Sequence, residues 1–430
     1  MAPFEQTTPI TTILRNILAD YSAAQLLNEL LQNADDAGAR EFKVMLDGRS
    51  GVHPTSSLLS PALAPMQGPA LVQFDDAEFK PEDFESITRV GDGVKRGDPT
   101  KTGQFGLGFN SVYHLTDTPC FVSGRHFCMF DPHGTHLPGG DKGVIEDIGA
   151  AAGAAGRTFA DEYADQLAPF RGVFGCDGRG GWETASGKGT LIRLPLRTAE
   201  GVRRSRIMEG KGGTPSLAQV EAAIIAPFVE LLHRRILFLK SVEVIEVWVW
   251  DAAAAAPRRT FHTELTSLTD AVRAARRALI SWVRERVSVS PADVADPHGG
   301  TVATRRYFHA MGGIDPAEVP RPLVYLTLRA HGAVGGRQEG GGRQEGFVEE
   351  VWLLSSGFGE KEELAFAAAP AQRTAVPPLL LMPYAAASAL VASRDSPTGP
   401  WTAAPPVIGR AYAALPLPFG TGLPLHLDGR

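Results

Sequence analysis

The segment LLNELLQNADDAG, residues 26–38, constrains this chain more than any other. Read as a helix at about 100° per residue, it turns Leu27, Leu30, Leu31 and Ala34 to one side and gathers Glu29, Asn33 and Asp36 in one narrow sector. The apolar side requires a second layer to bury it. On the polar side, a carboxylate and a carboxamide one turn apart share one small space. The Asn33 amide oxygen can hold Mg²⁺ beside phosphates, and the Glu29 carboxylate can orient or deprotonate a water that attacks a terminal phosphate. A solvated polar face gives the same pattern, so this segment decides nothing alone. Gly38 is placed to cap the helix C-terminus.

Two further stretches carry chemistry. In LVQFDDAEFKPEDF a strand ends in Asp75 and Asp76 just before a turn and a new helix. A carboxylate there can accept a hydrogen bond from the exocyclic amine of adenine, although an Asx turn or helix cap uses Asp in the same place. In KTGQFGLGFNSVYHLTD, Gly103, Gly106 and Gly108 with Phe105 and Phe109 precede a predicted helix. Glycines let backbone amides approach an anion closely, and a helix start adds positive potential. The spacing is neither that of the Walker loop nor that of the dinucleotide fingerprint.

Around these motifs the pattern predicts a helix over Ile10–Asn33, then a strand at REFKVML and a loop over 48–69. It predicts strands at ALVQF, PCFVSGRHFCMFDP and GTLIRLPLR, and helices at PEDFESITRV and FNSVYHL. Residues 139–157, rich in Gly and Ala, read as a mobile insertion. After a soft segment at 199–215 come a long helix (Leu217–Arg235), strands at VEVIEVWVW and RTFHTEL, and a helix over Asp270–Arg286. Strands at PLVYLTLRAH and EEVWLLSSG follow. The hexamer GGRQEG is duplicated in a low-complexity loop at 332–346. The expected domains are therefore 1–200 and an α+β domain over 215–430, the latter read as truncated because no terminating element precedes Arg430.

With 430 residues there is room for two or three domains, and a formal charge of -6 without long runs of one sign argues against a nucleic-acid or membrane surface. Three cysteines make no disulfide framework, no leader precedes Ile10, and charges interrupt the most apolar tract, so a cytoplasmic protein is expected. Cys120, Cys128, His126, His133 and His136 crowd one region, but their spacing fits no usual zinc pattern. Trp248 and Trp250 read as packing residues, and His114 as a packed or surface histidine.

In order, ELLQNADDA, FDDAEF, TGQFGLGFNSVY and GTLIRLPLR resemble the four boxes of the GHKL ATPases, the family of gyrase, MutL, histidine kinases and the heat-shock chaperone. Longer phrases, among them QTTPITTILRNIL, GQFGLGFNSVYHLTDTPCFVSG and ALPLPFGTGLPLHLDG, resemble the repeat units of the sacsin family. The resemblance implies an α/β two-layer sandwich, a mixed sheet with helices on one face, followed by an α+β domain. It implies ATP and Mg²⁺ as ligands, Glu29 as catalytic carboxylate, Asn33 as Mg²⁺ ligand and Asp36 in the pocket wall. It assigns adenine to Asp75 or Asp76 and makes Gly103, Phe105, Gly106, Gly108 and Phe109 the phosphate-side hinge of a lid. Thr190 matches a threonine that supports the adenine-binding aspartate. Weak ATP hydrolysis driving lid closure in a chaperone-like protein with protein clients is the implied function. Where the family has Asp-x-Gly-x-Gly this chain has Asp-Asp-Ala-Glu-Phe. That departure supports the alternative, an interaction module that keeps the fold without nucleotide.

Overall fold

The computed structural model describes residues 8–88, 90, 108–152, 156–209, 213–230, 232–286, 318–333, 345–358, 384–403, 410–412, 416–420 and 426–429. Contacts divide the chain into two compact units. The first comprises Met1–Glu85, Leu107–Phe228 and Glu246–Thr260; the second comprises Ser86–Gly106, Val229–Ile245 and Phe261–Arg430.

The helix predicted over Ile10–Asn33 is two helices, α1 (Ile10–Asp20) and α2 (Leu26–Ala37). Tyr21 is extended, and the Ser22 side chain accepts from the Ala24 amide at 3.3 Å, opening a 3₁₀ turn over Ala23–Gln25. A serine hydroxyl that binds a nearby amide competes with the helix ladder, and here it ends one helix and starts the next. Gly38 caps α2 as expected: at φ 86° its amide reaches the carbonyls of Ala34 and Asp35.

Strands β1 (Glu41–Asp47) and β2 (Ala70–Asp75) follow, then helix α3 (Pro81–Ile87) and strands β3 (Cys120–Ser123) and β4 (His126–Phe130). The expected loop over 48–69 contains a 3₁₀ helix at Pro61–Gln67, and FNSVYHL belongs to a 3₁₀ helix, Gly108–His114, not an α-helix. The Ser111 hydroxyl donates to the Gly108 carbonyl at 2.7 Å and fastens that tighter turn. Residues 139–157 are not simply an insertion. They supply β5 (Gly143–Asp147), which pairs antiparallel with β4, and the short pair β6 (Ala151–Ala152) and β7 (Arg157–Thr158). Helices α4 (Phe159–Glu162) and α5 (Ala164–Leu167), strand β8 (Thr190–Pro195) and helix α6 (Ala199–Arg204) come next. The helical stretch predicted over Leu217–Arg235 contains α7 (Leu217–Val220), a π-helical turn (Glu221–Ile225), α8 (Ala226–Glu230) and α9 (Leu232–Arg235), with residue 231 outside the described residues.

The sheet order in the first unit is β9-β1-β2-β8-β3-β4-β5, with β9 at Val244–Trp250. Pairs β1–β2, β2–β8, β8–β3 and β3–β4 are antiparallel. One sheet face carries Val72, Phe74, Val122, Phe127 and Leu191 into a core closed by Phe170 and its neighbours. By alternation Gln73, Asp75, Ser123 and Thr190 lie on the other face. The arrangement is α/β and compatible with the expected two-layer sandwich. Trp248 packs edge-on to Phe174, and the Arg49 guanidinium stacks 3.6 Å from the Trp250 ring centroid, so both tryptophans serve packing.

In the second unit, β10 (Arg258–Leu265) and α10 (Asp270–Arg286) precede β11 (Leu323–Ala333), β12 (Glu345–Phe358) and β13 (Tyr384–Arg394), which pair in sequence as antiparallel neighbours. Within β12, Glu349 is 2% exposed and takes ion pairs from Arg329 and Arg394, which offset the desolvation of its charge. Residues 335–344 of the duplicated hexamer lie outside the described residues. Among the described residues no helix is long and apolar enough to cross a membrane.

Candidate functional site

Helix α2 delivers its two faces as its spacing dictates. Leu26, Leu27, Leu30, Leu31 and Ala34 are buried, whereas Glu29, Asn33 and Asp36 are half-buried on the opposite side. Glu29 meets the start of the 3₁₀ helix at Gly108. A Cβ built on Gly108 would overlap the Glu29 Oε2 atom and lie 2.9 Å from its Cδ. Glycine is therefore what allows the carboxylate to rest against this backbone. Burial, and then the Glu29 charge, hold the Tyr21 phenol above its ordinary range, so the carboxylate and the phenol share one neighbourhood. Phe109 packs edge-on to Phe130, 6.2 Å between ring centroids. Gly103, Phe105 and Gly106 lie outside the described residues.

His114, four residues after Asn110 on the same element, is a packed, half-buried histidine. Its Nε2 lies 2.7 Å from the Tyr21 carbonyl, which can only accept, so Nε2 carries the proton; burial lowers the imidazole pKa and favours the neutral ring. The end of this 3₁₀ helix is held by Arg197, 4% exposed, whose guanidinium donates to the carbonyls of Tyr113, His114 and Thr116 and to Asp117 at 2.7 Å. Ser205 adds a hydrogen bond to the same carboxylate at 3.0 Å.

The two acidic residues at the end of β2 occupy different environments. Asp76 is half-exposed, and its Oδ1 accepts from the amides of Arg40 and Glu41 at 2.6 and 3.0 Å, which fixes the turn between α2 and β1. Asp75 is 7% exposed; it accepts from Gln73 Nε2 at 3.0 Å and from the Ala77 amide at 3.1 Å. Burial pushes its carboxyl up to about 7, against the two hydrogen bonds that pull it down. Thr190 stands opposite Asp75 in the β2–β8 register and its hydroxyl reaches the Ala77 carbonyl at 2.9 Å. Ser123, opposite Thr190 on β3, lies 2.7 Å from the threonine oxygen and accepts the Phe79 amide at 2.8 Å. The Phe79 ring packs on Phe84 and Phe121 at 5.4 and 5.1 Å.

The predicted residues thus fall into two groups: Glu29 with Gly108, and Asp75 with Thr190. Gln73, Ala77 and Ser123 were not singled out from sequence. Alternation along β2 puts Gln73 on the Asp75 face, but Ser123 becomes visible only once the β3–β8 register is known. Cys120 and Cys128 are free, buried thiols held up at about 11 and 12 by burial, and in the β3–β4 register Cys128 faces Phe121, so the two point to opposite sheet faces. Among the described residues no group of three His, Cys, Asp or Glu could hold a metal.

An antiparallel α/β unit with a carboxylate–carboxamide helix face and a buried carboxylate at a strand end is the class this geometry defines. Within that class the chain belongs to the Sacsin domain family, whose model matches residues 7–262. It is 28% identical to human Sacsin over 448 aligned positions, covering 99% of this chain and 10% of that protein. The chain thus spans about a tenth of the relative it matches.

Proposed function

We propose that the first unit binds ATP with Mg²⁺ and hydrolyses it slowly. The observation that carries this reading is the Glu29 carboxylate resting on the backbone of Gly108, at the edge of a glycine-rich segment, with Asn33 one helical turn away. A half-buried carboxylate beside an amide suits a water–phosphate reaction better than a purely solvated face would. Mg²⁺ held through the Asn33 amide oxygen would neutralise phosphate charge. Glu29 then takes a proton from the attacking water as its oxygen bonds to the γ-phosphorus and ADP leaves. At the other group, the adenine-reading role goes to Asp75, which is buried opposite Thr190 in the β2–β8 register, whereas Asp76 fixes the turn between α2 and β1. Gly103, Phe105 and Gly106, and lid closure over them, enter this proposal from the sequence alone, as do Asp36, protein clients and a cytoplasmic location.

Glu29→Ala tests the chemical step. It is expected to leave Mg²⁺-ATP affinity within about threefold and to abolish phosphate release, since the carboxylate acts on water and not on the nucleotide. Unchanged turnover contradicts the role. One observation favours the rival reading of an interaction module without nucleotide. Phe79, at a position where the GHKL pattern has glycine, has its ring packed against Phe84 and Phe121. Absence of ATP binding by the wild-type chain at millimolar nucleotide decides for that reading.

A further inference from the structure

In the loop of residues 75–79, a chain of hydrogen bonds ties Asp75, Ala77 and Phe79 to Thr190 and Ser123, while Asp76 bonds outward to the amides of Arg40 and Glu41. The Ala77 amide donates to Asp75, the Ala77 carbonyl accepts from Thr190, and the Phe79 amide donates to Ser123. The direction of the remaining bond follows from hydrogen counting. Thr190 has one hydroxyl hydrogen, and the Ala77 carbonyl, which cannot donate, takes it. The 2.7 Å contact between the two hydroxyls must therefore be donated by Ser123. Ser123 is 0% exposed, and its hydroxyl accepts once and donates its one hydrogen. Through it the far end of the loop, Phe79, is fastened to Thr190 of β8, which holds Ala77. Beyond it, Gly124 at φ 53° leaves room for the Glu78 carboxylate, which a Cβ there would overlap. The loop is thus pinned from β3 as well as from β8.

We propose that Ser123 is a positioning residue for nucleotide recognition: acting through Thr190 and the Phe79 amide, it sets where the Asp75 carboxylate stands and so the preference for adenine over guanine. This rests on the reading of Asp75 as the adenine acceptor. Guanine presents a carbonyl where adenine presents its amine, so a fixed carboxylate repels it, and a loosened one discriminates less. Ser123 acts on the base only through these groups.

The test uses the whole chain with Mg²⁺, titrated with ATP and with GTP, as wild type, Ser123→Ala, Thr190→Val and the double variant. Backbone-amide exchange over residues 75–80 is measured without nucleotide. Ser123→Ala is expected to weaken ATP about tenfold, a loss of the size of one buried hydrogen-bond partner, and to narrow the ATP-to-GTP ratio by a similar factor. The double variant should be no weaker than the worse single one, because both changes break one chain. Exchange over 75–80 should quicken in Ser123→Ala. Unchanged ATP affinity, or losses that add in the double variant, overturns the proposal. Wild type that binds no ATP overturns the functional reading; quickened exchange would then still show that Ser123 holds the loop, and unchanged exchange would sink both. Thermal melts of each variant separate these effects from failure to fold.

Discussion

At the scale of single residues, two positions separate function from folding. Gly108→Ala places a methyl where the Glu29 carboxylate now rests. The obstructing atoms are the end of a flexible side chain, so the carboxylate moves at little cost to the fold. Stability is expected to fall by no more than about 1 kcal/mol while phosphate release drops at least about tenfold. A melting curve with a turnover assay checks it; lost stability with intact turnover would contradict the arrangement. Asp75 gives a pH test. Burial holds its carboxyl up at about 7 in the fold, above the ordinary carboxylate value of 3.8, so protonation is favoured there. The stability this contributes is complete below the unfolded-state value and is lost as pH rises through about 7. Asp75→Asn removes the titration. The melting temperature of wild type relative to this variant should therefore decline between about pH 4 and pH 7 and level off above. A difference that is flat with pH would mean that the carboxyl is not desolvated as described.

At the scale of elements, Arg197 shows how one buried side chain terminates a helix. Arg197→Met leaves Asp117, 6% exposed, without its cation and three carbonyls without their donor. A loss of about 3–5 kcal/mol is expected in chemical denaturation, and less than about 1 kcal/mol would show the network to be dispensable. Strands β1, β2 and β8, the polar face of α2 and the Gly38 cap were legible in the sequence because each rests on local spacing. The break at Tyr21–Ser22 was not, since the apolar stripe of α1 and α2 runs past it and only the Ser22 hydroxyl marks it. The 3₁₀ geometry of Gly108–His114 was hidden because it depends on Ser111 and on Arg197, which comes far later in the chain. Strand β5 was missed because a Gly- and Ala-rich composition outweighed the short run that β4 recruits. Of the two groups at the site, the helix face could be read from periodicity. The roles of Asp75 and Asp76 could not be separated, because what distinguishes them is a contact with residues 40 and 41 and a register with β8.

At the scale of the whole molecule, each unit carries its own buried charges, and the described residues of the candidate site lie in the first. A ligand that binds only the folded chain raises its apparent stability by mass action, so Mg²⁺-ATP should raise the first unit's melting temperature in a concentration-dependent way, and GTP less. The most direct measurement is titration calorimetry of the wild-type chain with ATP, with Mg²⁺ and then with EDTA. Saturable binding is expected, weakened at least about tenfold both in EDTA and, with Mg²⁺ restored, in Asp75→Asn. No heat at millimolar ATP, or binding indifferent to both changes, would contradict that expectation and leave the chain as a sacsin-family module that works without nucleotide.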